Sequence, residues 1–438
     1  MHRTAAIVAQ GDEIVIGQTL DTNSKWIAAR LLELGVVPIE HVSLPDDRAA
    51  IASAIGRLAA RVDLIVCSGG LGPTSDDLTR VAVADATQDT LVLDEVAIAE
   101  IRAWFASKGR AMNVLNESQA LRPSRAAMLP NAFGTAPGIH ATLGACDVFC
   151  LPGPPRELMP MFDRLVVPKL RPDPERTVRV KVLHTIGLGE SEIALRLRDW
   201  RDGDLMARDR MPLVGTTASN SVVSCRVRYE GPLPGPEAER LVARDVATIR
   251  SLIAEAIFGE GEETLPSVIV RMLAERRQTV TTIESCTGGL IATQLTDVAG
   301  ASGVFRLGLV TYANVAKMQQ AGAPPELFKD SAGSRAPGAV SAEVATAMAE
   351  GGRKRAGADF ALAVTGVAGP SGGTPEKPVG TVFIALARAS GITEVRKFSF
   401  TGDRAAIREW AARAALAMLY LDMVGRRAVK LLRQVELG

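Results

Sequence analysis

VDLIVCSGGLGPTSDDLTR, residues 62–80, decides the fold class: a hydrophobic, β-rich run ends at Ser68 and breaks at once into a glycine turn. Gly69, Gly70 and Gly72 follow the run, and Pro73 and Thr74 stand where a helix could begin. Strand, glycine turn and helix start in that order make an α/β unit. Two more short runs, TAAIVAQ at 4–10 and CDVFCL at 146–151, lead the same way into Gly- or Pro-bearing loops and helical periodicity. Between the first two lies NSKWIAARLLEL, residues 23–34, whose Trp26, Ile27, Leu31, Leu32 and Leu34 recur at helical spacing. That spacing predicts a helix packed on the sheet.

The chain has 438 residues, enough for two to four domains at roughly 100–200 residues each. Lys and Arg number 50 against 49 Asp and Glu, a net charge of +1, which argues against a protein that neutralises a phosphate backbone or coats an acidic surface. A hydrophobic content of 47% excludes a disordered chain. Cys67, Cys146, Cys150, Cys225 and Cys286 are odd in number and form no CxxC pair, which fits a reducing cytoplasm better than a disulfide framework or a zinc site. Neither export nor membrane insertion is expected. The N-terminal segment reaches Asp12 and Glu13 early, and no stretch approaches about 18 uncharged apolar residues.

RPDPERTV, residues 171–178, carries two prolines and four charges in eight positions and reads as a linker. Beyond it, VRVKVLHTIG and SVVSCRVRYEG read as strands around the amphipathic GESEIALRLRDW at 189–200, a small α+β unit. After GEGEETL at 259–265, β/α alternation resumes with VTTIES, GLVTYA, DFALAVTG and GTVFIALA. The expected architecture is two three-layer α/β/α domains, 1–170 and 263–433, joined by a small α+β middle domain, 178–258.

Three turns carry the chemistry. In the first, the glycines after Ser68 can aim amides at a phosphate, and Asp76 and Asp77 suggest a divalent metal or a general base; a tight loop with dipole-complementing acids is the structural alternative. In ALAVTGVAGPSGGTPEKPVGT, Gly366, Gly369, Gly372 and Gly373 interleave with Thr365, Ser371 and Thr374, a phosphate or nucleotide cradle. In VTTIESCTGGLIATQLTDV, Ser285 occupies a strand-to-helix turn where a hydroxyl can face a ligand and nearby amides can form an oxyanion hole, although an ordinary helix cap has the same pattern. Tyr312 and Lys317 follow another strand, and a desolvated lysine can activate a serine. Cys286 is the rival nucleophile, read as a small buried residue.

Together these segments closely resemble the CinA family, competence/damage-inducible protein A, in its full-length form. The motifs that carry the resemblance are GDEIVIGQTLDTNS at 11–24, SGGLGPTSDDLT at 68–79, NAFGTAPG at 131–138 and LPGPPREL at 151–158 in the first half. ESCTGG at 284–289, VTYANVAK at 310–317 and VTGVAGPSGGTPEKPVGTV at 364–382 carry it in the second. The resemblance implies an N-terminal molybdopterin-binding-like domain with ADP-ribose pyrophosphatase activity dependent on a divalent metal. Gly69, Gly70, Gly72, Thr74, Asp46 and Asp77 would face that ligand, and Asp76 and Asp77 the metal. It implies a KH-like middle domain, here without a basic GxxG loop, so that nucleic acid is not an expected partner. It also implies a C-terminal nicotinamide-nucleotide amidase converting nicotinamide mononucleotide (NMN) to nicotinate mononucleotide and ammonia without a cofactor. Ser285 would be the nucleophile, activated by Lys317 and Tyr312. Thr287, Gly288, Gly289, Thr365, Gly366, Gly369, Ser371, Gly372 and Gly373 would hold substrate and phosphate. The sequence departs from the family in ANVAKMQQAGAPPE after the strand and in GAS at 300–302, and neither departure removes a proposed catalytic group. Extensive apolar helices make a homodimer the expected assembly. The competing readings are a nucleotide- or pterin-binding protein of competence or damage response without turnover, and a molybdenum-cofactor transferase-like N-terminal domain.

Overall fold

The computed structural model describes residues 1–198, 203–219, 221–330 and 336–437. The chain divides into two compact units, Met1–Arg179 with Tyr229–Arg240 and Val180–Arg228 with Leu241–Gly438.

The first unit contains β1 (Thr4–Gln10), β2 (Val37–Leu44), β3 (Leu64–Ser68), β4 (Leu91–Leu93), β5 (Leu121–Pro123), β6 (Ala127–Leu129), β7 (Gly138–Leu143) and β8 (Cys146–Leu151). Six of them form one sheet in the order β2-β1-β3-β8-β7-β6, parallel from β2 to β8 and antiparallel beyond, while β4 and β5 make a separate ribbon. β1, β3 and β8 read as nearly continuous apolar runs because both faces are covered. Ile7, Leu64, Val66 and Phe149 pack with Ile27 and Leu31 of the helix Thr22–Glu33, and Val8, Ile65 and Val148 pack with Ile51 and Ile55 of the helix Arg48–Ala59. One expectation is corrected: the helix after the first glycine turn starts at Thr79, not at Pro73 or Thr74. The intervening residues form turns.

A four-stranded sheet of order β10-β11-β9-β12 is built from β9 (Thr177–Thr185), β10 (Leu213–Ser219), β11 (Val222–Gly231) and β12 (Ile257–Glu260). The helix expected over 189–200 is Glu190–Arg198, and residues 199 and 200 lie outside the described residues. β10 and β12 had no clear signal in the sequence. LVGTTAS is an edge strand with an exposed, polar end, and IFGE is four residues long.

The C-terminal sheet runs β14-β13-β15-β16-β17-β18, with β13 (Val280–Glu284), β14 (Phe305–Val310), β15 (Phe360–Gly366), β16 (Thr381–Arg388), β17 (Glu394–Ser399) and β18 (Gln434–Val435). Leu362, Val364, Val382 and Ile384 face the helices Leu265–Arg276 and Arg404–Met423. The alternate residues Ala361, Ala363 and Ala385 face Ala345 and Ala349 of the helix Ala342–Ala356. These small residues let that helix lie close, so close that a side chain at Gly352 would collide with Ile283. β13 pairs in parallel with β14 on one side and β15 on the other. The chain therefore reverses its direction of travel across the sheet at β13, and the carboxyl end of such a strand opens a crevice. Among the described residues no helix is long and apolar enough to cross a membrane.

Candidate active site

Ser285 is the residue that leaves β13 into this crevice. Its amide donates to the Val364 carbonyl at 2.9 Å, extending the ladder by one residue, and Thr311 does the same to Glu284 at 2.8 Å. The carbonyls of Thr311 and Tyr312 are thereby placed beside the serine. β14 ends at Val310, two residues before Tyr312.

Lys317 enters from the first turns of the helix Asn314–Ala321 and is 1% exposed. Its Nζ lies 3.0 Å from Ser285 Oγ, 2.8 Å from the Thr311 carbonyl and 3.0 Å from the Tyr312 carbonyl. Burial pushes the ammonium pKa below its ordinary value, and the positive end of its own helix acts in the same direction. The two carbonyls can only accept. An ammonium can donate to all three oxygens, and a neutral amine can donate to the two carbonyls and turn its lone pair toward the serine hydroxyl. Ser285 is itself buried, at 8% exposure.

The turn Cys286–Gly289 follows, with Gly288 and Gly289 at φ 61° and 94°. Glu284, buried at the end of β13, turns its carboxylate onto the amides of Gly289, Ile291 and Ala292 at 2.9, 3.1 and 2.9 Å. It supplies the negative charge that the start of the helix Leu290–Thr296 attracts, so that helix end is already occupied. The Gly288 amide is spent on the Ser285 carbonyl. The oxyanion donors left on this turn are the amides of Cys286 and Thr287. Burial pushes the Cys286 thiol up to about 12, so it stays protonated near neutrality and is no rival nucleophile. The Thr287 and Thr311 hydroxyls are buried and have no partner among the described residues.

Tyr312 is corrected. Its ring is 59% exposed and its hydroxyl accepts from Arg404 Nη2 at 2.7 Å; only its main-chain carbonyl reaches Lys317. It is not interposed between Ser285 and Lys317. Arg404 Nη1 also donates to the Gly369 carbonyl at 2.8 Å, and Arg408 Nη2 donates to the Thr287 carbonyl at 2.8 Å. These two arginines join the serine turn, Tyr312 and the glycine loop into one site. Sequence reasoning missed both, although a signal existed: arginines at the first and fifth positions of the helix Arg404–Met423 oppose its dipole. Thr365 is buried with its hydroxyl on the Ala339 carbonyl. At Gly366 a Cβ would sit 2.8 Å from the Thr381 carbonyl oxygen, and Gly369 has φ 75°, so both positions require glycine. Ser371, Gly372 and Gly373 are exposed on the loop.

In the first unit the carboxyl ends of β1, β3 and β8 surround a cavity of about 530 Å³. Gly69, Gly70, Gly72, Asp46, Asp76 and Asp77 all line it, and Thr74 stands beside it. Its walls hold two buried polar atoms that have no partner among the described residues, Gln10 Nε2 and Asn23 Oδ1. The phosphate-cradle expectation is altered here, because Asp77 takes the position of the anion. Its carboxylate accepts from the amides of Gly72 at 2.6 Å and Thr74 at 2.8 Å and from the Thr74 hydroxyl at 2.5 Å. Arg80, buried and unforeseen, donates to the carbonyls of Leu71 and Gly72 at 2.5 and 2.8 Å from the other side of the loop. Asp46 and Asp12 exchange amide–carboxylate bonds at 3.1 Å each. Both Asp77 oxygens are committed, and among the described residues no group of three His, Cys, Asp or Glu could hold a metal ion. Asp76 and Asp77 therefore belong to no cluster of three such ligands among the described residues.

Three known family profiles match in succession. Residues 6–172 match the probable molybdopterin binding domain, 180–259 the damage-inducible protein CinA KH domain, and 262–423 the CinA C-terminal domain. The chain is 42% identical to a CinA-like protein of Geobacter sulfurreducens over 94% of this chain and 98% of that one. It is 42% identical to a putative competence-damage inducible protein of Symbiobacterium thermophilum over 96% and 99%. Among solved structures, CinA from Thermoplasma acidophilum is 30% identical, covering 39% of this chain and 99% of that one with a TM-score of 0.37. A competence/damage inducible protein of Agrobacterium tumefaciens is 38% identical, covering 37% and 97% with a TM-score of 0.34.

Proposed function

The chain belongs to the CinA family, and we propose that its C-terminal domain is a nicotinamide-nucleotide amidase that hydrolyses the carboxamide of NMN to nicotinate mononucleotide and ammonia. The observation that carries the proposal is the buried Lys317 amine, 3.0 Å from Ser285 Oγ and otherwise surrounded by carbonyl acceptors. Neutral Lys317 takes the Ser285 proton as Oγ attacks the carboxamide carbon, and the Cys286 and Thr287 amides hold the oxyanion. The ammonium of Lys317 returns the proton to the amide nitrogen, the C–N bond breaks and ammonia leaves an acyl-serine. Water then attacks with Lys317 again as base, releasing the acid and restoring Ser285. Arg404 has used two of its five N–H groups, and with Arg408 and the exposed glycine loop it offers donors for the 5′-phosphate. Ammonia release from NMN by purified protein, abolished in Ser285→Ala, is the test. No release by the wild type would favour the binding-only alternative.

For the first unit the proposal extends to a nucleotide or pterin ligand, with ADP-ribose cleavage to AMP and ribose 5-phosphate as its reaction. The two unpartnered atoms in its cavity support a ligand there. Because the acids present form no cluster of three ligands among the described residues, a divalent cation would enter with the pyrophosphate substrate, which would complete its coordination. Five free, buried cysteines fit the cytoplasm as the compartment.

A further inference from the structure

We propose that the second unit carries a separate site for an amphipathic organic anion, a flat apolar body bearing one carboxylate or phosphate, in a cavity of about 630 Å³. The cavity is open to solvent on one side, and its volume falls in the range of small-molecule sites. The cavity shares none of its lining with Ser285, Lys317 or the glycine loop. The lining is aromatic in two places: Trp410 stacks on Phe400 at 6.1 Å between ring centroids, and His184 stacks on Phe258 at 5.9 Å.

Its lining carries two carboxylates, Glu263 and Asp297, and one cation, Arg413, and of these Arg413 is the group with donors to spare. His184 has both ring nitrogens engaged, with the Ser224 hydroxyl at 2.8 Å and the Gly261 carbonyl at 2.7 Å, so it offers only its face. Glu263 is held by Arg271 at 2.8 Å, and Asp297 is exposed. Arg413 is different: its side chain is 25% exposed and its ion-pair partner is Glu409 at 3.1 Å. A guanidinium with five donors and one partially exposed carboxylate has bonding capacity left over, and burial already weighs on its charge. The Ser221 hydroxyl, also on the wall, is buried and has no partner among the described residues. One anionic head at Arg413, a hydrogen bond at Ser221 and a flat body against Trp410 use all of these features.

Two helices reach both this cavity and the serine site. Leu290–Thr296 begins at the Ser285 turn and lines the cavity with Gln294. Arg404–Met423 sends Arg404 and Arg408 to the serine site and Trp410 and Arg413 to the cavity, with Arg404 and Arg413 about 13 Å apart along its axis. An occupant is thus placed to act as an effector of the serine site. That consequence rests on the amidase reading, whereas the binding itself does not.

The test uses the full-length protein and anilinonaphthalene sulfonate fluorescence, with naphthoate, naphthyl phosphate and naphthylmethylammonium as competitors. The probe should bind, the two anions should displace it, and the ammonium should not. The better displacer of the two identifies the head group. Arg413→Gln should weaken binding by about tenfold or more, Arg413→Lys should restore much of it, and Ala414→Trp should fill the cavity and abolish it, with circular dichroism unchanged. Equal displacement by the ammonium, or full binding in both Arg413→Gln and Ala414→Trp, overturns the proposal. No turnover is needed for this readout, so a protein that fails to deamidate NMN leaves it intact.

Discussion

Lys317 Nζ lies 3.0 Å from Ser285 Oγ and, among the described residues, is paired with no carboxylate. A lysine so placed works as a base only when neutral, and burial lowers its pKa from the ordinary 10.5. We expect kcat/KM for NMN to rise with pH through the depressed value and level off above it. Stability should follow the same sign. Between the folded and unfolded values the unfolded chain binds a proton that the folded chain has lost, so stability rises with pH across that window and falls as pH drops through the folded value. In Lys317→Met both the ascending limb and roughly 10²- to 10⁴-fold of the rate should disappear. A retained limb in that variant would assign the proton transfer elsewhere.

Ser285→Ala should abolish deamidation with the fold intact, since the helix that follows is capped by Gly289 and Glu284 rather than by Ser285. Cys286→Ala should keep most of the activity, because a thiol held near 12 contributes no thiolate. Ammonia release and thermal melts of the two variants together check the assignment. An active Ser285→Ala beside an inactive Cys286→Ala would reverse it.

The strands at 4–10 and 146–151, and the position of Ser285 at a strand end, were legible because period, glycine placement and chain order act locally. The start of the helix at Thr79 was not. Its displacement depends on Asp77 folding back onto the amides of Gly72 and Thr74, a bond that a glycine pattern does not encode. Tyr312 was assigned from its proximity to Lys317 in the chain, and that proximity is real for its carbonyl but not for its hydroxyl. Arg404 and Arg408 lie 35 to 121 residues from the partners they touch, sequence separations that local patterns cannot bridge.

Glu284→Gln should lower both stability and kcat while leaving KM nearly unchanged. The carboxylate satisfies three amides of the following helix, and an amide in its place sets an N–H against N–H groups, costing about 1 to 3 kcal/mol for the unsatisfied donors. The turn bearing the Cys286 and Thr287 amides then loses its anchor. Thermal unfolding and steady-state kinetics read the two effects, and a variant with wild-type melting would show that the cap is dispensable.

Tyr312→Phe should retain the pH profile, since the hydroxyl bonds Arg404 and not Ser285 or Lys317. Arg404→Ala should raise KM for NMN by about ten- to a hundredfold, in line with a charge-assisted bond of roughly 1.5 to 3 kcal/mol, and should leave the dephosphorylated riboside unaffected. Equal losses on both substrates would move Arg404 from phosphate binding to holding the Gly369 loop.

Asp77 separates the two units' chemistry. Its carboxylate fills the anion position of the Gly72–Thr74 turn, with both oxygens accepting hydrogen bonds, so Asp77→Asn replaces one acceptor by a donor facing an N–H group. The loop should loosen, and ADP-ribose cleavage should fail in that variant while NMN deamidation continues. Chelator should likewise stop only the ADP-ribose reaction, because the metal is proposed to arrive with the pyrophosphate. Purified protein without ADP-ribose should then retain no stoichiometric divalent metal by elemental analysis. Tightly held metal in that sample would place a resident ion in the cavity and return the acids around it to the function of ligands.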